Sequence, residues 1–201
     1  QEPHLLQTGQ RRSRLILAFR DPYGEEPQLL SYAFATALRR EARRLGFRLS
    51  GVPRARFVHG YEVPLWNGPV VRWILPRSGA MPVYHTKVDR RSLEFMRETL
   101  REGPYPLALS PEGQISYRSE ALPRIEEGAA RLGVWCVGDL AAAGRRERVL
   151  VLPLSVHYRY DEEAARALEG LLSELEGYCG AAAPRGGRAR SPAPGEAGWR
   201  I

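Results

Sequence analysis

The chain has 201 residues, of which 43% are hydrophobic, and it carries a formal net charge of +7. A chain of this length and composition is expected to form one domain with a hydrophobic core, which excludes a fibrous or a wholly disordered protein. Nearly all of the positive charge comes from arginine, since Lys87 is the only lysine, and the excess favours an anionic partner such as a phospholipid surface, a phosphorylated ligand or nucleic acid.

Predicted strands and helices alternate along the chain. An apolar run over 15–19 predicts a buried strand, and a turn over 20–24 leads to a helix from Pro27 to about Leu45 with apolar residues every three or four positions. Residues 53–76 are predicted to be loop with a short amphipathic helix. The remaining elements are a strand over 80–84, a helix over 92–100, a strand over 106–110, a helix over 125–143, a strand over 149–156 and a helix from Asp161 to about Leu175. This alternation predicts an α/β fold with a mostly parallel central sheet flanked by helices.

Composition also suggests the domain limits. Residues 1–13 are polar and basic and are expected to form a flexible lead-in, residues 14–176 form the domain, and the Gly-, Ala-, Pro- and Arg-rich residues 177–201 form a disordered tail. Cys136 and Cys179 are the only cysteines. They suggest neither a disulfide framework nor a Cys/His metal site, which favours a reducing compartment. No run of 18 apolar residues occurs, so no segment is expected to span a bilayer.

The most specific pattern lies between Leu107 and Gly133. A strand ends at Ser110, the turn Pro111-Glu112-Gly113 follows, and a helix opens near a Gly-Ala-Ala-Arg sequence. A strand that delivers a carboxylate to the edge of a sheet, just before a helix, is a common way to build a site. The pattern resembles the third sequence block of the glycerolipid acyltransferases of the lysophosphatidate acyltransferase type, Phe-Pro-Glu-Gly-Thr-Arg-Ser followed by a Gly-Ala-rich helix. The resemblance implies the glycerol-3-phosphate acyltransferase-like fold.

The first block of that family is a His-x4-Asp pair, whose histidine removes the proton of the acceptor hydroxyl. The matching place here puts Asp21 on the histidine and Glu26 on the aspartate, so the resemblance implies that these two residues are catalytic. An aspartate with an ordinary pKa of about 4 is a weak base, although the neighbouring Glu26 is expected to raise its pKa. Three alternatives follow: a degenerate relative with a weakened or inactive site, a variant whose histidine was replaced, or an aspartate that serves as a modest base.

The other blocks provide candidate substrate-binding residues. In the second block Gly79 and the strand are kept, and His85 stands where the family has the arginine that holds the acceptor phosphate. In the third block Ile115 replaces a second arginine, and Arg118 follows three residues on. The resemblance therefore implies an acceptor site made of His85, Glu112, Gly113 and Arg118. The apolar strand 149–154, with its embedded proline, fits the fourth block.

The family's activity is then the expected function. It is the transfer of an acyl group from a thioester, on coenzyme A or acyl carrier protein, to a lysophospholipid-type hydroxyl. No metal or redox cofactor is implied, and the protein is expected in the cytoplasm, peripheral on the inner face of the membrane. Trp66 and Trp73 are either core or helix-packing residues, or interfacial anchors.

Two other functions compete with this one. A non-catalytic lipid or acyl-chain binding module on the same fold is the main alternative. A nucleic-acid partner is not expected, because the sequence has no zinc-ligand spacing, no helix-turn-helix pattern and no glycine–aromatic motif of the RNA-binding kind.

Overall fold

The computed structural model describes residues 13–49, 51–84, 89–118, 121–159 and 161–180. The chain divides into two compact units, Gln1–His157 and Tyr158–Ile201. The strands of the first unit are β1 (Ser13–Phe19), β2 (Arg56–Gly60), β3 (Met81–Val83), β4 (Leu107–Leu109) and β5 (Arg148–Leu154). Its helices are α1 (Glu26–Ala33), a π-helical turn (Phe34–Leu38), α2 (Arg39–Arg44), α3 (Val63–Trp66), α4 (Gly68–Ser78), α5 (Arg90–Glu102) and α6 (Gly128–Ala142). In the second unit the described residues form one helix, α7 (Glu162–Cys179).

The five strands form one sheet in the order β3-β2-β4-β1-β5, and every neighbouring pair is parallel. The register places Ile16 of β1 opposite Leu107 of β4 and Val151 of β5. The α/β prediction is therefore confirmed, with a sheet that is parallel throughout. Because all strands run the same way, the loops that follow them meet at one edge of the sheet.

Helices cover both faces of the sheet, and the alternating side chains of β1 divide between them. Leu15, Leu17 and Phe19 pack on one face against the first helical segment, through Leu30, Phe34 and Leu38. Ile16 points to the other face. It packs in a cluster with Leu100 of α5 and with Leu132, Cys136 and Leu140 of α6. Cys136 is a core residue, since its side chain is fully buried.

The first helical segment has nearly the bounds that the sequence predicts. The chain is helical from Glu26 to Arg44 through α1, the π-helical turn and α2, against a predicted helix from Pro27 to about Leu45. Pro27 lies in the first turn, where its missing N–H costs nothing. Gly46 follows the helix with a positive φ of 78°, a conformation that glycine adopts without strain.

Two sequence-based expectations about the elements were wrong. Residues 53–76 contain the strand β2 as well as two helices. The sequence of β2, Arg-Phe-Val-His-Gly, is too short and polar to predict a strand, and its pairing with β4 and β3 supplies what the sequence lacks. Helix α7 continues past Leu175 to Cys179, whereas α6 begins at Gly128, where the Gly-Ala-Ala-Arg sequence predicts its opening.

Parts of the predicted lead-in and tail, residues 1–12 and 181–201, lie outside the described residues. Ser13 is the first residue of β1, and residues 177–179 complete α7. Within the described part of the chain, none of the helices has the length and apolar character needed to cross a bilayer.

Candidate active site

The candidate site lies where the topology of the sheet changes direction. After β1 the chain crosses one face of the sheet, over β4, to reach β2. After β4 it crosses the opposite face through α6, over β1, to reach β5. The two connections therefore diverge between the neighbouring strands β1 and β4. In open parallel sheets a crevice forms at the carboxyl ends of two such strands, and it is the usual place for a ligand site.

The turn that follows β1 is built around two carboxyl groups. The N–H of Gly24 donates to Asp21 Oδ1 at 3.1 Å, and the N–H of Tyr23 donates to Glu26 Oε2 at 3.3 Å. Gly24 has a φ of 84°, and a Cβ there would lie 2.9 Å from Ile115 Cδ1, so the turn needs glycine on both counts. The turn thereby places both carboxyl groups at the amino end of α1.

Asp21 and Glu26 share a hydrogen bond through their side chains. Two carboxyl groups can hydrogen-bond to each other only when one of them keeps a proton. Glu26 is fully buried in the first turn of α1, where the helix dipole favours a negative charge. The pair therefore shares one proton.

The pKa of Asp21 is raised from 3.8 to about 7, mainly because the carboxyl is removed from solvent. The hydrogen bond and the charge of Glu26 raise the pKa further, whereas the N–H of Gly24 opposes the shift. The expectation that Glu26 raises the pKa of Asp21 is confirmed, with burial as the larger cause. A carboxyl that titrates near neutral pH can accept a proton and release it again under physiological conditions.

The Pro111-Glu112-Gly113 turn lies at the end of β4. The side chain of Glu112 is only 1% exposed. Gly113 has a φ of 70°, and a Cβ on it would lie 2.9 Å from the carboxyl group of Glu126. The N–H of Glu126 donates to the carbonyl oxygen of Pro111 at 2.7 Å, which holds the returning chain against the turn. The conformation therefore depends on glycine at 113.

Arg20 joins this turn to the end of β1. Its Nε donates to Glu112 Oε1 at 2.8 Å, and its Nη2 donates to the carbonyl oxygens of Arg118 and Ala121, each at 2.8 Å. The N–H of Tyr117 also donates to the carbonyl oxygen of Pro22 at 2.8 Å. The two turns are thus connected both by a planar guanidinium, which suits several acceptors at once, and by a backbone hydrogen bond.

Tyr117 has an unusual backbone conformation for its residue type. Its φ is 53°, in the left-handed region, although it is not glycine. Such a conformation costs about 1–3 kcal/mol and persists only where the surroundings enforce it. The hydrogen bond from its N–H to Pro22 accounts for it, so the loop after β4 carries strain in order to reach the turn after β1.

Two oxygens in this region are buried and lack a hydrogen-bond partner among the described residues. They are Oε2 of Glu112 and Oγ of Ser116. Buried polar oxygens nearly always have a partner in native proteins, and an exception marks a place where a water or ligand completes the hydrogen bonding. These two oxygens can therefore each still accept a hydrogen bond.

The structure places the residues predicted from sequence as follows. Asp21, Glu26, Glu112 and Gly113 lie together at the edge between β1 and β4. Arg118 contributes its backbone carbonyl to Arg20, and its own side chain is exposed. His85 lies outside the described residues.

Sequence reasoning missed Arg20. In the sequence it is one arginine among many, and it stands directly after the strand rather than within a motif. Its partner Glu112 is 92 positions away in the chain, so the pairing depends on the strand order. An arginine at the end of a buried strand, next to a carboxylate at the start of a turn, is the only signal that the sequence offers.

Other features of the described residues do not compete with this site. No group of three or more His, Cys, Asp or Glu side chains is arranged there to hold a metal ion. A surface cavity of about 390 Å³ lies against α6, and one of about 380 Å³ lies between α5 and α6, where Arg97 pairs with Asp139. Both cavities are lined by residues of these helices and not by the carboxyl pair.

Comparison with known proteins finds no protein-family model that matches the chain, and no curated protein sequence that matches it significantly. The assignment to a functional class therefore depends on the residues and on the geometry of the site.

Proposed function

We propose that the protein is an O-acyltransferase that moves an acyl group from a thioester to a lysophospholipid-type hydroxyl, with Asp21 as its general base. One observation carries the proposal: Asp21 lies beside Glu26 at the sheet's switch point, and its pKa is about 7. The unperturbed pKa of histidine is about 6.5. Asp21 therefore has a basicity close to that of histidine, the residue at this place in the acyltransferases that the sequence resembles.

The chemistry follows from this placement. The ionised carboxylate of Asp21 takes the proton of the acceptor hydroxyl as its oxygen attacks the carbonyl carbon of the thioester. The carbon–sulfur bond breaks, and the thiol of coenzyme A or acyl carrier protein leaves. Glu26 holds the protonated form of Asp21 through their hydrogen bond, and after Asp21 ionises the negative charge of Glu26 keeps the Asp21 carboxylate basic. A positioned base of matched pKa contributes about 10²–10⁴-fold to the rate of such a step.

Glu112 acts in this proposal through Arg20. Its carboxylate is buried and holds the guanidinium, and the guanidinium holds the loop that contains Arg118. The resemblance assigns Glu112, Gly113, Arg118 and His85 to acceptor binding. A water that donates to the buried, unpartnered oxygens of Glu112 and Ser116 would connect them to an acceptor bound at the turn.

A second candidate function is a lipid or acyl-chain binding module without catalysis. The feature that favours it is that His85 and Ile115 stand where the acyltransferases that the sequence resembles have the arginines that hold the acceptor phosphate. In both functions the chain acts at the inner face of a cytoplasmic membrane, as a peripheral protein.

The proposal is tested with purified protein, an acyl-coenzyme A and lysophosphatidate. Thiol release and the acylated lipid are both measured, so that hydrolysis is distinguished from transfer. Asp21→Asn is expected to lower transfer about 10²-fold or more, since an amide cannot act as a base. Asp21→His is expected to retain transfer, because an imidazole beside Glu26 is a base of similar pKa and reproduces the pair of the acyltransferases that the sequence resembles.

Asp161→Asn is the matched control. Asp161 caps α7 by accepting from the N–H of Ala164, and asparagine caps a helix equally well. Its transfer rate should equal that of the wild type. Acyl transfer that is unchanged in Asp21→Asn, or absent from both the wild type and Asp21→His, would contradict the assignment. Binding of acyl-coenzyme A without turnover in all of these proteins would select the binding module.

A further inference from the structure

We propose that α3 and α4 form a membrane-docking surface, which inserts its aromatic and aliphatic side chains between the headgroups of anionic phospholipids. The inference extends the proposed function, because it names the part of the chain that brings the site to its lipid. The surface is defined by exposed apolar side chains flanked by two arginines. They are Leu65, Trp66, Val70, Trp73 and Ile74, with Arg72 and Arg77.

The exposure of these side chains excludes a role in the core. Trp66 is 75% exposed and Trp73 is 60% exposed, so of the roles considered for them, burial in the core is excluded. On α4, Val70, Trp73, Ile74 and Arg77 are spaced by three, one and three positions and therefore lie on one face of the helix. An exposed apolar helix face of this size marks an interaction site, and an apolar partner would bury several large side chains there.

The charges around the surface identify the partner. From Val63 to Val88 the sequence has no Asp or Glu. Within the described residues, Arg72 and Arg77 form no ion pair, and Arg77 lies over the ring of Trp73 at 4.3 Å. Tryptophan next to unpaired arginine is the composition that proteins place at the boundary between lipid and water.

The position of the surface in the fold suits this role. α3 begins at Val63, directly after the carboxyl end of β2, and β2 pairs with β4. The surface therefore starts at the edge of the sheet that carries Glu112 and Asp21. A membrane bound by α3 and α4 would present its lipids near the carboxyl pair, so that an acceptor need not leave the bilayer surface completely.

The test measures binding to vesicles in the absence of any acyl donor or lysolipid. Sedimentation with vesicles of phosphatidylcholine and phosphatidylglycerol gives a partition coefficient for the full chain. We expect Trp73→Ser to lower it roughly tenfold, and Arg72→Gln with Arg77→Gln to lower it about fivefold per arginine on anionic vesicles only. Since all three side chains are exposed, the melting temperature should not change.

Trp135→Ser is the matched control. Trp135 is a partly exposed tryptophan on α6 that also has an arginine over its ring, Arg97 at 5.8 Å. Arg97 is paired with Asp139, so this second aromatic–arginine surface lacks a free positive charge. Trp135→Ser should bind vesicles like the wild type. Binding that is equal in the wild type and Trp73→Ser, or lowered as much by Trp135→Ser, would overturn the proposal.

The remaining outcomes separate docking from catalysis. Asp21→Asn should bind vesicles like the wild type, and acyl transfer that fails while vesicle binding persists would count against the proposed function alone. Transfer to a detergent-dispersed acceptor without any vesicle binding would count against docking alone. If the protein does not bind vesicles but associates with itself, and Trp73→Ser abolishes that association, the partner of this surface is a second copy of the chain and not a membrane.

Discussion

Arg20 and Glu112 connect the ends of two neighbouring parallel strands through a single hydrogen bond of 2.8 Å between Nε and Oε1. The carboxylate is almost completely buried, whereas the guanidinium is partly exposed and also binds two backbone carbonyls. A buried carboxylate needs a charged partner, because its desolvation is otherwise uncompensated. This pair therefore fixes the relative position of the two turns that make the candidate site.

Replacing Arg20 by Met is expected to destabilise the protein by about 3 kcal/mol, since it leaves the Glu112 carboxylate buried without its partner. Denaturation by urea measures the free energy of unfolding. Arg131→Met is the matched control, because Arg131 pairs with Glu127 on the surface of α6 and both side chains are mostly exposed. That pair contributes about 0.3–0.5 kcal/mol.

The double substitution Arg20→Met with Glu112→Gln tests the cause of this loss. If the unpaired charge is responsible, removal of the charge as well should recover part of the lost stability. A double variant that is destabilised by the sum of the two single effects would show that the two residues act independently.

Gly113→Ala is expected to destabilise the protein by about 1–2 kcal/mol, because alanine is strained at a φ of 70° and its Cβ would meet the Glu126 carboxyl group. Gly138→Ala is the opposite case. Gly138 lies within α6, and a Cβ there contacts nothing within 4 Å, so alanine should stabilise the helix by about 1 kcal/mol. Thermal unfolding should show a lower melting temperature for Gly113→Ala and a higher one for Gly138→Ala. Melting temperatures that change by the same amount in the same direction would contradict this account of the turn.

The sequence predicts the elements of this protein better than their arrangement. Leu15, Leu17 and Phe19 alternate in the way that a strand requires, and the helix from Pro27 has the period of an amphipathic helix. Both patterns are local, so they can be recognised without coordinates. The order of the strands depends on contacts between distant segments, which is why β2 was missed.

The candidate site was predictable to a similar extent. The Asp21 turn and the Glu112 turn each follow a strand that the sequence predicts, and turns after parallel strands meet at one edge. That β1 and β4 are neighbours, and that Arg20 lies between their turns, could not be predicted because both depend on the strand order. The pKa of Asp21 near 7 could likewise not be predicted from the sequence, because its main cause is burial, which is a property of the folded chain.

Glu147 should make stability fall at acidic pH. Its carboxylate accepts hydrogen bonds from Arg145 and from Arg14, and the bond from Arg145 is the main reason that its pKa is lowered from 4.5 to about 2. A lowered pKa in the folded state gives stability that is present above the unfolded pKa and is lost as the pH falls towards 2.

The wild type should therefore melt above Glu147→Gln at neutral pH, and the difference should shrink as the pH falls from 4.5 towards 2. Differential scanning calorimetry across this range measures it. Glu169→Gln, at an exposed position of α7, should show no such trend. A difference between the wild type and Glu147→Gln that does not depend on pH would contradict this account.

Asp21 should have the opposite effect on stability. Its pKa is about 7 in the folded protein against 3.8 for the free side chain, so the folded state binds a proton that the unfolded state has already lost between these values. Stability from this group is therefore complete below the lower pKa, and it is lost as the pH rises through the higher one. Asparagine imitates the protonated carboxyl, since its amide can donate to Glu26 while its oxygen still accepts from Gly24.

Asp21→Asn and the wild type should consequently melt at the same temperature near about pH 4, and at about pH 8 the variant should melt roughly 2–6 °C higher, after allowance for the partial exposure of the carboxyl. Asp161→Asn should track the wild type at every pH. Because the same proton must leave before Asp21 can act as a base, kcat/KM for acyl transfer should rise with an apparent pKa of about 7. Two results together would contradict this account: a stability difference that does not depend on pH, and an activity that is constant from about pH 5 to about pH 9. They would show that the carboxyl pair has no titrating proton in this range, so that Asp21 could not be the base.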